Sequence, residues 1–154
     1  MRKFKLFFDG ACWPNPGGKA SYGWAVSDDG NFHEEGNGLI GIGARMSNNV
    51  AEYCGLYNGL KFMKERGYIE ADIHCYGDSK LVVEQMSGRW RVKKGLYVDS
   101  FKLAYCMSKE FKMLTISWIP REQNGLADWL SKKVLGINEG NYLDEQFKNT
   151  IGII

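Results

Sequence analysis

Four carboxylate side chains are the residues of this sequence best suited to chemistry: Asp9, Glu52, Asp78 and Asp128. Each falls at an expected element boundary or on a packed helix face, where an unpaired carboxylate is unfavourable unless a cation meets it. Taken singly, each acid could cap a helix or pair with a surface lysine; four together favour a shared cation. Hard oxygen ligands suit Mg²⁺, with Mn²⁺ as a possible substitute, rather than zinc. Two such ions could activate a water and stabilise the leaving oxygen in phosphodiester hydrolysis.

Strands are predicted for the first third of the chain. The stretch RKFKLFFDG at residues 2–10 alternates apolar and polar side chains, and glycine-bearing segments follow it. We therefore expect Asp9 at the C-terminal end of a strand, beside a loop. Residues 20–28 and 32–42 are predicted as two further strands, joined by a hairpin turn at residues 28–30. Three antiparallel strands thus open the fold.

A helix is predicted to follow these strands. Residues 47–49 offer N-cap side chains, and the helix should run to about Arg66 with Gly67 as its stop. At about 100° per residue, Glu52 shares one side of this helix with Leu56, Leu60 and Met63. A carboxylate is therefore expected on a packed face.

The remaining two acids also lie at element starts. The expected elements are a strand at 71–77, a helix at 79–86, a helix at 97–111, a strand at 114–119 and a helix at 124–135. Asp78 follows the first of these, where Ser79 can begin a helix, and Asp128 lies in the first turn of the last helix, which Asn124 is expected to cap.

Composition bounds the class of protein. With 154 residues, 44% of them hydrophobic, the chain suits one folded domain, with residues 1–136 as its body and 137–154 as a C-terminal tail. A net charge of +2 gives no global attraction to nucleic acid, so basic surface must be local. The four cysteines show no C-x-x-C pair, and no segment is long and apolar enough to span a membrane or act as a secretion signal. We expect a cytoplasmic, intracellular protein that acts as a monomer.

Four motifs carry the acids in order: D-G-A-C-x-x-N-P-G-G at 9–18, S-N-N-x-A-E at 47–52, G-D-S at 77–79 and N-x-x-A-D at 124–128. Together they resemble type 1 ribonuclease H over about residues 3–135. The resemblance implies an α/β fold whose mixed five-stranded sheet, in order 3-2-1-4-5, is flanked by helices. It also implies hydrolysis of the RNA strand of RNA/DNA hybrids with two Mg²⁺ ions, giving 5′-phosphate and 3′-hydroxyl ends. The four acids would be the catalytic metal ligands, with Asp9 bridging both ions.

The resemblance also implies contacts to nucleic acid. Asn15, Ser47, Asn48 and Asn49 match positions that touch sugar or phosphate in the family, and Gly10 and Ser79 lie in the same motifs. Independently of the resemblance, Arg89, Arg91, Lys93 and Lys94 are candidates because they form a local basic cluster. The polar residues among them could equally be turn and N-cap residues in a protein that binds nothing. The basic segment at 89–94 combines cations with Trp90, which suits phosphate binding but is also compatible with a solvated surface and a core tryptophan.

The sequence departs from some family members in two places. Its basic connector is shorter than the long protrusion that they carry, and the segment at 120–123 replaces their histidine-bearing loop, so it resembles the compact subgroup. Proton delivery would then fall to metal-bound water, with Arg121 or Glu122 as possible auxiliaries, and neither His33 nor His74 is expected to act. Two alternatives remain: a catalytically idle nucleic-acid-binding module on the same fold, and a transposase or integrase core.

Overall fold

The alternating N-terminal segment forms the central strand of a mixed sheet. In the computed structural model, which describes residues 1–136, the strands are β1 (Lys3–Trp13), β2 (Lys19–Ser27), β3 (His33–Ile42), β4 (Asp72–Gly77) and β5 (Met113–Trp118). Their order is β3-β2-β1-β4-β5. The pairs β1–β2 and β2–β3 are antiparallel, whereas β1–β4 and β4–β5 are parallel. The predicted sheet order is confirmed.

Helices cover both faces of this sheet. They are α1 (Asn48–Glu65), α2 (Lys80–Met86), α3 (Val98–Ser108) and α4 (Gly125–Leu135), and a 3₁₀ turn (Arg121–Gln123) precedes α4. On one face Phe4, Leu6 and Phe8 are buried in a core shared with α1. On the other face, α4 packs so closely on Gly23 of β2 that a Cβ there would lie 2.5 Å from the Ala127 carbonyl oxygen. Helices α1 and α4 therefore pack on opposite faces of the sheet.

Strand β1 continues past the point where the sequence predicted its end. Its pairing with β4 stops at Phe7, but its pairing with β2 runs on through Asp9 to Trp13. The turn is deferred to residues 14–18 because β2 supplies a full antiparallel partner for residues 9–13. Asp9 thus lies inside a strand, at the place where β4 no longer covers the edge of β1, and the expectation of a strand end beside a loop was wrong.

Gly10 allows α1 to lie directly on β1. A Cβ at this position would come within 2.1 Å of the Ala51 carbonyl carbon and 2.3 Å of the Glu52 amide nitrogen. On the helix side, a Cβ at Gly55 would lie 2.5 Å from the Asp9 carbonyl oxygen. These two glycines bring the backbones of β1 and α1 close enough for Asp9 and Glu52 to share a site.

Most of the predicted helix boundaries are confirmed by cap contacts. Ser47 accepts a hydrogen bond from the Val50 amide at 3.2 Å, and α1 ends before Gly67, whose φ is +83°. The predicted helix at 97–111 was too long, because α3 ends at Ser108. The Ser108 hydroxyl donates to the Tyr105 carbonyl at 2.6 Å, and the turn that follows leads the chain into β5.

Within residues 1–136, no helix is long and apolar enough to cross a membrane. Cys12, Cys54, Cys75 and Cys106 are free thiols; the expectation that all four are buried was right for Cys12 and Cys75 but wrong for Cys106, which is exposed. The predicted tail at 137–154 lies outside the described residues.

Candidate active site

Three of the four predicted acids converge on one point. Asp9 comes from within β1, Glu52 from the second turn of α1, and Asp78 from the residue after β4. Each offers a carboxylate oxygen, and these three oxygens lie within 4.8 Å of one another. Asp9 is 4% exposed and Glu52 is 8% exposed. The close approach of β1 and α1 therefore brings two buried carboxylates together, and the half-buried Asp78 completes a compact set of oxygen ligands.

Asp128 lies near these acids but outside their close group. Asp128 lies in the first turn of α4. Together with Asp9 and Glu52 it lines a pocket of about 300 Å³, called the acidic pocket below. Its Oδ1 lies 3.4 Å from Nζ of Lys132, one helical turn further along. Lys132 also lines the pocket, and sequence reasoning missed it, although its i,i+4 spacing from an acid is a readable signal. The fourth acid is thus held by a cation at the pocket wall.

The three converging carboxyls disfavour simultaneous ionisation. Burial, followed by the Asp78 charge, raises the pKa of Asp9 well above its ordinary value. Burial and the Asp9 charge raise the pKa of Glu52 in the same way, and a hydrogen bond with Asp9 adds to this rise. Burial also raises the pKa of Asp78, although Asn124 and Arg121 oppose the shift. Without a cation, the cluster therefore retains protons that isolated carboxyls would release.

A divalent cation fits this donor set. Glu52 Oε2 is buried without a hydrogen-bond partner among the described residues, and so is Asn124 Oδ1. Buried oxygens without partners are rare because their desolvation is not compensated. Carboxylate and amide oxygens are the donors that Mg²⁺ and Mn²⁺ take. The acids and the unpartnered Glu52 oxygen thus match a hard metal ion chemically.

Asn124 has a different role from the one predicted. It precedes α4, but its side chain makes no capping hydrogen bond to that helix. The Nδ2 group instead donates to the Phe8 carbonyl at 2.9 Å and lies 3.4 Å from Asp78 Oδ2. The prediction of a side-chain cap was wrong, because this buried amide is turned inward to join α4, β1 and the acid after β4. The sequence motif located Asn124, but it did not show that its side chain points inward.

The two predicted auxiliaries are placed differently. Arg121, in the 3₁₀ turn, lines the pocket, and its charge lowers the pKa of Asp78. Glu122 is exposed and is not among the residues that line this pocket. Only the arginine is therefore positioned beside the acids.

Two candidate nucleic-acid contacts, Asn15 and Asn48, tie the end of β1 to the start of α1. Asn15 Oδ1 accepts a hydrogen bond from the Asn48 amide at 2.9 Å, and Asn48 Oδ1 accepts one from the Cys12 amide at 2.9 Å. Ser47 caps α1, and Asn49 is the second residue of that helix. These structural contacts explain the residue types, and Asn48 also lines the acidic pocket. Ser79 likewise caps α2 through the Val82 amide at 3.3 Å.

The basic connector between α2 and α3 is fixed by a buried amide that sequence reasoning missed. Gln85, 2% exposed, accepts a hydrogen bond from the Tyr53 hydroxyl at 2.5 Å. Its Nε2 donates to the Arg91 carbonyl at 3.2 Å and to the Tyr97 hydroxyl at 3.1 Å. The Tyr97 oxygen also accepts from the Lys93 amide at 3.2 Å. The connector backbone is thus anchored to α1 and α2.

The cations of this connector differ in their surroundings. Arg89 forms an ion pair with Glu84, with Nε 2.5 Å from Oε2. Arg91, Lys93 and Lys94 are exposed. Trp90 is 48% exposed, so it is not a core residue. Three cations and an aromatic ring are therefore presented to solvent from an anchored backbone.

Both histidines take part in local contacts away from the acids. His33 is exposed at the start of β3, with Nε2 3.1 Å from Glu35 Oε2. His74 lies 2.8 Å from the Ser117 hydroxyl and stacks on Tyr76. Neither histidine lines the acidic pocket.

The fold and the site together define a class. A mixed sheet in order 3-2-1-4-5, with acids from its central strand, its first helix and the end of its fourth strand, is the architecture of ribonuclease H-like nucleases. Residues 7–134 match the family model described as reverse transcriptase-like.

Comparisons with individual proteins agree with this class. The chain is 40% identical over 129 residues to the bifunctional protein Rv2228c of Mycobacterium tuberculosis, covering 82% of this chain and 34% of that protein. The solved N-terminal RNase H domain of Rv2228c superposes with a TM-score of 0.79 at 36% identity, covering 88% of this chain and 95% of that chain. The chain is also similar to ribonuclease HI of Halobacterium salinarum, at 36% identity over 130 residues, with 84% of this chain and 62% of that protein covered.

Solved type 1 enzymes give the same result. The RNase H1 structure from Halobacterium salinarum has a TM-score of 0.78 and 32% identity, with 87% of this chain and 98% of that chain covered. LC11-RNase H1, solved in complex with an RNA/DNA hybrid, has a TM-score of 0.77 and 28% identity, with coverages of 86% and 96%. This chain belongs to the type 1 ribonuclease H family. It spans about a third of the length of Rv2228c and under two thirds of the curated Halobacterium relative.

Proposed function

We propose that this protein is an endonuclease that hydrolyses the RNA strand of RNA/DNA hybrids with two divalent metal ions, leaving 5′-phosphate and 3′-hydroxyl ends. The observation that carries the proposal is the convergence of the Asp9, Glu52 and Asp78 oxygens within 4.8 Å. Family membership and the hybrid-bound relative LC11-RNase H1 support the choice of substrate.

The four acids would hold the metal ions. Asp9 would contribute to both ion sites, Glu52 and Asp78 would complete one of them, and Asp128 would complete the other. When bound, Mg²⁺ or Mn²⁺ supplies a water activated for attack and stabilises charge on the leaving oxygen. Metal binding would also relieve the repulsion among the carboxylates, so the raised pKa values of the acids fit this role.

The chain's own residues would prepare the site. Asn124 would orient the carboxylate of Asp78, whose oxygens lie within reach of those of Asp9 and Glu52. Arg121 and Lys132 line the pocket and offer positive charge to a phosphate or to the acids. Burial of Asp9 and Glu52 excludes bulk water and strengthens electrostatic contacts within the site.

We assign hybrid binding to two surfaces. The first is the junction of β1 and α1, where Gly10, Asn15, Ser47, Asn48 and Asn49 lie and to which Ser79 is added. The second is the basic connector, whose exposed cations suit phosphates. Arg91, Lys93 and Lys94 are the stronger contributors there, because Arg89 already has an ionic partner.

The idle-module alternative explains the acids less well. Asp9 lies inside a strand and Glu52 lies beyond the first turn of α1, so neither is placed to cap a helix. Keeping three carboxyls together without a bound cation would only destabilise the fold.

We also infer that the protein acts inside the cell, since free thiols suit a reducing compartment. We propose that it acts as a monomer.

A labelled hybrid tests the proposal. The protein should cleave the RNA strand of an RNA/DNA hybrid with Mg²⁺ and lose this activity in EDTA. RNA/RNA and DNA/DNA duplexes of the same sequence serve as substrate controls. Binding of the hybrid without metal-dependent cleavage would favour the idle module instead.

A further inference from the structure

Trp13 is the last residue of β1 and is 69% exposed. Tryptophan carries a large apolar surface, and such residues are usually mostly buried in folded proteins. This exposed ring lines the same pocket as Asp9, Glu52 and Asp128, so it is accessible to a ligand bound there.

The strand register places this ring on the same side of the sheet as Asp9. Side chains alternate along β1, so Asp9, Ala11 and Trp13 share the face on which α4 packs. All three line the pocket that Asp128 and Lys132 enter from α4. Trp13 lies four positions after Asp9 along the strand, so their Cα atoms are about 13 Å apart. A nucleic acid with a phosphate at the acids would extend over a neighbouring part of this pocket.

The backbone that carries Trp13 is held in place on both sides. The amide of the preceding residue, Cys12, donates to Asn48 Oδ1 at 2.9 Å. Across the sheet, Trp13 pairs in register with Lys19 of β2, so the two side chains lie on the same face. The ring is therefore presented from a paired strand rather than from a free loop.

The surroundings of the ring match the chemistry of a nucleotide. Lys19 beside it and Lys132 across the pocket offer positive charge for phosphates, whereas the indole offers an apolar surface for a sugar. In a hybrid duplex the bases are stacked inside, and sugar edges are exposed along the minor groove. We propose that Trp13 is a substrate-binding residue that packs on a nucleotide sugar of the hybrid, a few nucleotides from the scissile phosphate. This inference rests on the proposed hybrid nuclease function.

Three variants test this role: Trp13→Ala, Trp13→Phe and, as a matched control, Leu103→Ala. Leu103 is 57% exposed on α3, outside the acidic pocket, so its loss reports only the removal of an exposed apolar side chain. Trp13→Ala should raise the KM for the hybrid by about five- to tenfold with kcat unchanged, in line with the worth of aromatic contacts to nucleotides. Trp13→Phe should stay within about twofold of wild type because a ring remains.

Binding and salt measurements separate the possible failures. In an Asp9→Asn background with Mg²⁺, hybrid affinity measured by fluorescence anisotropy should fall with Trp13→Ala, while its salt dependence should stay unchanged, because the lost contact is apolar. An unchanged KM and affinity, or a fall in kcat alone, would overturn the role of Trp13 and leave the nuclease intact. If the wild-type protein neither binds nor cleaves hybrids, the proposed function itself fails.

Discussion

The side-chain amide of Asn124 lies 3.4 Å from Oδ2 of Asp78, and the same nitrogen donates to the Phe8 carbonyl at 2.9 Å. One buried side chain at the start of α4 thus links the central strand to the acid that follows β4. It also opposes the rise in the pKa of Asp78 that burial causes. This contact makes the orientation of a carboxylate that we propose to bind metal dependent on a residue at the start of α4.

Replacing this amide should weaken both the site and the fold. Asn124→Ala leaves the Phe8 carbonyl without its donor and frees the Asp78 carboxylate. We expect kcat on the hybrid to fall at least about tenfold, and the free energy of unfolding to fall by about 1–3 kcal/mol. Urea denaturation and steady-state kinetics measure the two effects.

The neighbouring residue provides the control for that experiment. Gln123 is exposed, so Gln123→Ala should leave both quantities unchanged. Unaltered kcat in Asn124→Ala, with only stability reduced, would show that the amide has no role in orienting Asp78.

The acidic cluster should make the metal-free protein less stable as the pH rises. The pKa values of Asp9, Glu52 and Asp78 are raised in the folded state, so the folded protein holds protons that the unfolded chain has released. The contribution of these three acids to the free energy of unfolding should therefore be fully present below their ordinary values of 3.8 and 4.5, and should be lost as the pH rises through the raised values. Urea titrations in EDTA across this range measure the slope.

Removing the charges should reduce that slope. The double variant Asp9→Asn, Glu52→Gln has fewer protons to release and should show a flatter pH profile in EDTA. Mg²⁺ should stabilise the wild-type protein at neutral pH, because it binds the folded state. Equal slopes for the two proteins would contradict the raised pKa values.

The basic connector should act on substrate binding more than on turnover. Neutralising Arg89, Arg91, Lys93 and Lys94 together should raise the KM for the hybrid and flatten its salt dependence, since fewer counterions are released on binding. Arg89→Ala alone should have a small effect, because Glu84 already pairs with this guanidinium. An unchanged salt slope in the fourfold variant would show that the connector makes no phosphate contacts.

The positions of the strands and helices were predictable from local signals in the sequence, whereas the strand order and the meeting of the acids were implied by the family resemblance. Alternation marked β1, Ser47 and Ser79 marked the starts of two helices, and helical spacing placed Glu52 on a packed face. These features depend on residues close together in the chain. The motifs then brought the four acids into one expected site.

The features that were missed depend on residues far apart in the chain. The extension of β1 to Trp13 required knowledge of its partner β2, and the inward turn of Asn124 required the Phe8 carbonyl, 116 residues away. In the sequence, Gln85 is one polar residue of a short helix. Its role is evident only in the fold, where it forms hydrogen bonds with Tyr53 and Tyr97. Long-range pairing and polar contacts of this kind are decided only by the packed fold.

Asp9→Asn gives the most direct test of the two-metal account. The amide weakens a carboxylate that would serve both ions and also removes one of three mutually repelling charges. Cleavage of a labelled RNA/DNA hybrid under saturating Mg²⁺ should be abolished, while circular dichroism stays unchanged and the metal-free melting temperature is kept or raised. Retention of a tenth or more of the wild-type rate, or a clear loss of melting temperature, would contradict the assignment of Asp9 as a bridging metal ligand.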